Sequence, residues 1–490
     1  MFKLVSTRDI NENVSFKKAV INGLSKNRGL YAPINIKDNQ ININDLQGLS
    51  YHQLAKFLFK TFADDFSDQE VNACIKNAYT NSFRTNEVVE LSKYSNVHLL
   101  ELYHGPTSAF KDVALQLLPQ LLSTSLENID EKVMILTATS GDTGKAALEG
   151  FKDVYNIDIT VFYPYEKVSA IQDLQMRTTG GKNTHVTSVN TDFDGCQKLC
   201  KEIFNNQEFN DELLKKNYIL SSANSINIGR LTPQIVYYFY SYLKLVDNKE
   251  IKMNEKVNYV VPTGNFGNIL AGYYAKLMGL PVNKLIVAAN ENNVLYDFVK
   301  TGVYDANRML TQTISPSMDI LVSSNVERLL FELYDHDSTE VCKLMNDLET
   351  KHRYQISEKA LIKLQSIFTA GFATNEESKL EIKKVFKKEQ KVVDPHTACA
   401  FKVYDDYVNE TSDSTKSIIL QTASCYKFAK DVYEALTNEI VVDEFKAMQD
   451  IYNICKEEIP TNLINIDKLP INHNDNINTD EAIKLIRSLI

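Results

Sequence analysis

The sequence predicts an α/β protein built on parallel sheets, and three observations carry that reading. Four segments share one order: an apolar or β-branched run, a small polar or glycine loop, then a helical pattern. They are HLLELYHGPTSAFKDVALQLLPQLL from His98, KVMILTATSGDTGKAALEGF from Lys132, KVNYVVPTGNFGNILAGYYAKLMG from Lys256 and SIILQTASCYKFAKDVYEAL from Ser417. Apolar strands alternating with amphipathic helices mark βαβ units whose sheets are covered on both faces. Further strand candidates lie between them at 158–164 (DITVFYP), 185–189 (HVTSV) and 284–290 (KLIVAAN). Finally, twelve of the 17 glycines fall between Gly105 and Gly279. Glycine serves tight turns and close approach of backbone to a ligand, so the functional part is expected in that central stretch.

Taken in order, residues 1 to about 95 are polar and mostly helical, with SFKKAVINGLSKNRGLYAP as the most patterned part. The βα segments follow. The stretch 335–391 is charged and helix-prone, with no strand signal before VVDPHTACAF, and the last 55 or so residues mix helix with Asn-rich loops. A chain of 490 residues exceeds one compact core and implies two to four domains. No repeat and no low-complexity linker divides it, so the domains are expected to pack together.

Composition excludes several function classes. Apolar residues make up 44% and charged residues 24%, as in ordinary globular proteins. Lys plus Arg is 53 against 63 for Asp plus Glu, a net charge of −10. That balance argues against nucleic-acid or anionic-membrane partners, which need a basic stripe, though it leaves room for a local anion pocket. The longest nearly apolar run, 113–122, is broken by Gln and Pro and falls far short of the roughly 20 residues of a bilayer span. The opening MFKLVSTRDINENV lacks the apolar core and cleavage site of a secretory signal. A cytoplasmic location is the expectation. Seven scattered Cys fit reduced thiols. The one close pair, Cys196 and Cys200, has no His at ligand spacing and reads as the buried face of a helix. No metal centre is expected.

In α/β sheets ligands bind where strands end and helices begin. VVPTGNFGN ends a strand at Thr263 and opens a helix near Ile269, so Gly264 and Gly267 would let N–H groups converge as an anion site. A two-glycine packing turn reads the same way. It is not a dinucleotide fingerprint, because Phe266 stands where the second Gly belongs. TSGDTGK is not a P-loop either, with Thr139 in place of the first Gly and Ala146 after Lys145. Lys111 follows the compact HGPTS turn at a helix start, where the partial positive charge favours the neutral amine needed to condense with an aldehyde. A solvated surface lysine is the alternative.

Together, HGPTSAFKD, TATSGDTG, NSINIGR, VPTGNFGN, SPSMDILVSSNVERLL, DPHTA and LQTAS follow one another in the order found in threonine synthases, and the resemblance runs from the RGLYAP stretch at Arg28 to beyond Thr422. It is to the longer class of many bacteria and fungi. The resemblance implies pyridoxal-phosphate fold type II: two open, mostly parallel α/β domains with the cofactor between them, plus a helical N-terminal region and helical additions. On that scheme 1–95 is the N-terminal region, 96–126 and 225–435 form the larger cofactor-binding domain with a helical insertion near 335–391, 127–224 the smaller domain, and 436–490 a C-terminal helical and loop extension.

The implied activity is conversion of O-phospho-L-homoserine and water into L-threonine and phosphate, by a monomer or homodimer. Carried over by motif, Lys111 would hold the pyridoxal aldehyde. Gly264, Asn265, Phe266, Gly267 and Asn268 would bind the cofactor phosphate, and Thr422 would hydrogen-bond the pyridine nitrogen. Ser140, Gly141, Asp142 and Thr143 would hold the substrate carboxylate, with Arg230, Asn224 and Asn227 toward the substrate phosphate. Two departures stand out: Ile228 and Gly229 where the family usually has Trp-Ala, and Ser424 where it commonly has His. Loss of a large apolar wall or of a donor keeps open an alternative, a phospholyase on the same scaffold that releases a keto acid and ammonia.

Overall fold

The computed structural model describes residues 2–85, 87–127 and 129–490. The chain opens with three short strands, β1 (Leu4–Ser6), β2 (Asp9–Val14) and β3 (Tyr31–Pro33), which form an antiparallel sheet in the order β2-β1-β3. The expectation of a mostly helical region missed this sheet because its strands are too short to show an alternating pattern. The helices Phe16–Asn22, Tyr51–Phe62 and Asp68–Tyr79 accompany it, the last two each closed by a Ser capping box.

β4 (Glu90–Lys93) and β5 (His98–Glu101) follow, then β6 (Lys132–Ala138), β7 (Ile157–Pro164), β8 (Thr184–Val189) and β9 (Tyr218–Ser221). Next come β10 (Val257–Pro262), β11 (Val282–Ala289), the paired β12 (Val303–Asp305) and β13 (Arg353–Gln355), β14 (Phe368–Phe372), β15 (Ser417–Gln421) and β16 (Asp475–Ile477). Two larger sheets result. One runs β14-β11-β10-β15-β5-β4 and is parallel except for the edge pair β4–β5. The other runs β16-β8-β7-β6-β9 and is parallel throughout.

Every residue of β10 and β15 is buried, which is why those segments read as apolar runs: helices cover both faces. The Ile228–Asp247 helix is buried along nearly its whole length, as a helix apolar all round must be. It packs on the Gly267–Leu277 helix at Gly272, where a Cβ would stand 2.7 Å from the Tyr238 ring.

Three further expectations need correction. The 335–391 insertion is not purely helical: FTAGF forms β14, at the edge of the larger sheet beside β11. The short β13 also falls in this stretch, whereas VVDPHTACAF forms no strand: Asp394 caps the Pro395–Thr411 helix, with Pro at its first turn. The C-terminal extension is also more than helix and loop, since β16 adds an edge strand to the smaller sheet. Its DNI sequence, largely exposed, carries no apolar signal. Cys196 and Cys200 are buried on the Phe193–Asn205 helix. No described helix is long and apolar enough to cross a membrane.

Candidate active site

The C-terminal ends of β6 and β10 and the segments that follow β5, β9 and β15 face one cavity lined by Lys111, Ser140, Thr143, Asn224, Arg230, Gly264 through Asn268 and Thr422. Residues from five separate stretches of sequence are thereby brought together, at the place where open parallel sheets bind ligands.

Each is placed by a local device. The turn before Lys111 is held by Asp112, which accepts from the Thr107 amide at 2.8 Å and its hydroxyl at 2.6 Å. Gly105 permits it, because a Cβ there would lie 2.4 Å from that of Asp112. The Phe110 amide donates to the Thr422 carbonyl at 2.8 Å and Ala109 bridges Ala423, so the lysine loop is tied to the end of β15. Gly141 has φ 132, a conformation that favours glycine, and a Cβ there would meet Gln172 at 2.5 Å. Thr139 accepts from the amides of Gly141 and Gly144 at 2.9 and 2.8 Å, closing the turn that opens the Asp142–Phe151 helix.

Lys111 is 8% exposed. Its Nζ donates to Ser317 Oγ at 3.2 Å and stands 3.6 Å from Asp142 Oδ2. Burial pushes its ammonium down to about 8; Asp142 opposes that shift, while Arg230 and Lys427 add to it. The helix start alone suggested a neutral amine, but desolvation is the larger cause. Asp142 is held well below the usual carboxylate range: burial would raise it, and the ammonium groups of Lys427 and Lys111 outweigh that cost.

Three partners had no role assigned from sequence. Lys427, wholly buried, ion-pairs with Asp142 Oδ1 at 2.8 Å and donates to the Thr107 carbonyl at 2.9 Å. Ser317 also donates to Asp142 Oδ2 at 3.2 Å. His396 accepts from the Ser317 amide at 3.2 Å through Nε2, and its Nδ1 faces Asp394 at 2.8 Å. Ser317 and His396 sit inside quoted motifs (SPSMDILVSSNVERLL, DPHTA), where motif order was the only signal for them, and Lys427 lies three residues beyond LQTAS.

In the same cavity the amides of Gly264 through Asn268 find no acceptor among the described residues. Phe266 holds the αL conformation at φ 62, turning the chain into the Gly267–Leu277 helix. Asn268 Oδ1 accepts from Tyr237 and Tyr238 at 2.7 and 2.9 Å, while its Nδ2 is buried without a partner. Unmatched donors at a helix N-terminus fit a phosphate. Arg230 is buried in that cavity too, held by the Ala223 carbonyl at 2.9 Å and pushed down to about 10 by burial. Asn224 Oδ1 is another buried atom without a partner.

Asn227 does not belong with them. It caps the Ile228–Asp247 helix, accepting from the Gly229 amide at 2.9 Å and donating to the Val20 carbonyl at 2.9 Å and the Ser222 carbonyl at 3.2 Å. Its amide is used up in folding and lies outside the cavity lining. The two departures also lie elsewhere. Ile228 is a core residue, Gly229 faces Val20 and Leu118, and Ser424 lines a different cavity.

Three family matches follow one another along the chain: threonine synthase N terminus at residues 3–79, pyridoxal-phosphate dependent enzyme at 80–355 and threonine synthase C-terminal at 397–481. Threonine synthase of Saccharomyces cerevisiae is 37% identical over 464 residues, 88% of each chain. The chain belongs to the threonine synthase family. Its fold is fold type II of the pyridoxal-phosphate enzymes. A crystal structure described as threonine synthase from Brucella melitensis with pyridoxal phosphate bound superposes with a TM-score of 0.88 at 36% identity, covering 100% of this chain and 99% of that one. Human threonine synthase-like 1 is 40% identical over 454 residues, 88% of this chain and 60% of the human protein. Within this threonine synthase fold the free amides and the buried lysine line one cleft, a donor set suited to pyridoxal phosphate.

Proposed function

We infer that the protein is a threonine synthase, forming L-threonine and phosphate from O-phospho-L-homoserine and water. One observation carries the reading to this chain's own chemistry: a buried lysine with its ammonium pushed down to about 8 lines the same cavity as a row of unmatched amides. In the net change the Cγ–oxygen bond to phosphate breaks and Cγ gains a proton, while Cβ loses a proton and gains the hydroxyl of water, whose remaining proton goes to the phosphate or to solvent.

Pyridoxal phosphate, when bound, supplies the electron sink for charge left on the substrate carbons as protons depart. The amides of Gly264 through Asn268, with Asn268 Nδ2, would hold its phosphate, and Lys111 its aldehyde. The Thr422 hydroxyl, neutral and at the end of β15, would face the ring nitrogen without supplying a charge.

Lys111 is the group suited to take and return protons at the substrate carbons, because an amine near 8 exchanges a proton readily at neutral pH. Asp142, locked to Lys427, keeps a fixed negative charge beside Lys111 Nζ, and Ser317 bridges the two. Ser140, Gly141 and Thr143 at the opening of the Asp142–Phe151 helix would receive the substrate carboxylate. Arg230 and Asn224 would receive the leaving phosphate.

The departures at Ile228, Gly229 and Ser424 were the reasons to entertain a phospholyase, and none of them lines this cavity. The test is to supply pyridoxal phosphate and O-phospho-L-homoserine and to quantify threonine, phosphate and keto acid. Equal yields of threonine and phosphate support the synthase; phosphate matched by keto acid and ammonia defeats it.

A further inference from the structure

Across the edge of the larger sheet, away from the cofactor cleft, three polar side chains fall in one row. Glu90 of β4 pairs with Glu101 of β5, and Glu101 pairs with Gln421 of β15. Directly paired residues project from the same face, so two carboxylates and an amide stand side by side. Like charges directly opposite each other are destabilising in a sheet, and such an arrangement calls for a cation. His104 arrives from the loop after β5 with Nε2 at 2.9 Å from Glu101 Oε2. One donor atom each from Glu90, Glu101 and His104 lies within 4.8 Å of the others. That is close to the roughly 4.2 Å between opposite ligands of an ion with bonds of about 2.1 Å.

A second observation points to a ligand at the same place. Gln421 is 3% exposed and its Oε1 has no hydrogen-bond partner. It lines a cavity of about 690 Å³ together with Glu101 and His104. A buried amide oxygen left unpaired is costly. Arg84 lines the cavity too and its charge is felt by both carboxylates, but it donates to the Tyr103 carbonyl and makes no ion-pair contact with either of them among the described residues.

We propose that Glu90, Glu101, His104 and Gln421 bind one divalent first-row metal ion. Two carboxylates, an amide oxygen and an imidazole, with no thiolate, suit Mn²⁺. The Ser92 hydroxyl and the Tyr103 hydroxyl already donate to Glu101, the outer contacts that orient a ligating carboxylate. A ligating imidazole nitrogen carries no proton, so any proton lying between His104 Nε2 and Glu101 leaves to solvent on binding. The ion ties β4, β5 and β15 together one residue before Thr422, so it supports the end of the strand that lines the cofactor cleft. The proposal does not depend on which reaction that cleft performs.

The experiment uses the purified protein with its cofactor, treated with chelator, dialysed and titrated with Mn²⁺ while the free ion is followed by electron paramagnetic resonance. One ion per chain is expected, with affinity at least about tenfold weaker in Glu90→Gln and in His104→Ala. Glu90 is exposed, so Glu90→Gln should keep the thermal midpoint of the metal-free parent, which separates lost binding from lost folding. No Mn²⁺ bound up to about 1 mM, the weak end of dedicated sites, overturns the proposal. Equal binding by the parent and Glu90→Gln overturns it as well.

Discussion

The buried Lys111–Asp142–Lys427 array makes a quantitative prediction about how the cofactor-free protein captures an aldehyde. An ordinary lysine titrates near 10.5, whereas burial brings Lys111 to about 8. That difference makes the neutral, nucleophilic fraction at pH 7 about 300-fold larger, roughly 10% instead of roughly 0.03%. The rate of pyridoxal phosphate capture should therefore rise with pH through about 8 and level off above it. The assay is stopped-flow absorbance at equimolar pyridoxal phosphate, with borohydride trapping and peptide mapping to confirm Lys111. Asp142→Asn removes the group that favours the ammonium, so the inflection should move down; Lys427→Met removes a like charge and should move it up. Asp142→Asn also leaves the wholly buried Lys427 unpaired and should cost about 3–5 kcal/mol of stability. A parent inflection near 10.5, or shifts of the same sign in both variants, would refute the reasoning.

Gly264→Val should lower pyridoxal phosphate affinity and cost about 1–3 kcal/mol by overpacking, because its Cβ would stand 2.7 Å from the Ser317 carbonyl and 3.1 Å from Ile320. Equilibrium dialysis and denaturant titration check both parts, and unchanged cofactor affinity would mean the loop is only a packing turn. Thr422→Asp should retain the cofactor yet shift products away from threonine, since a carboxylate at the ring nitrogen makes a stronger electron sink; a product ratio equal to the parent's would remove Thr422 from the ring. Burial pushes the thiols of Cys196 and Cys200 up to about 12, so a disulfide reagent at pH 8 should leave both unmodified until the protein is unfolded, as mapped by mass spectrometry.

The central strands were legible because a fully covered parallel sheet demands unbroken apolar runs, and KVMILTA, VNYVVP and SIILQ supply them. β14 and β16 were not, because an edge strand buries little: FTAGF carries a glycine pressed against Val403, and DNI is mostly exposed. At the cleft, backbone requirements drew attention to the glycine turn and Lys111 but left a packing turn and a surface lysine open, and only the order of the motifs favoured the cofactor reading. Asn227 misled because an N-cap and a ligand-binding amide look the same in sequence; only the bonds to Gly229 and to the Val20 and Ser222 carbonyls tell them apart. Lys427 was invisible for the opposite reason. A lysine with no exposure is rare, and nothing local in SCYKFAKD announces the ion pair with Asp142 that holds it.

The central claim is that water adds to the substrate carbon chain while phosphate leaves with its bridging oxygen. Turnover of O-phospho-L-homoserine in ¹⁸O-enriched water tests it most directly, with mass spectrometry of both products. The account predicts threonine labelled once, at the Cβ hydroxyl, and phosphate without label. Labelled phosphate accompanied by homoserine would show hydrolysis at phosphorus and contradict it.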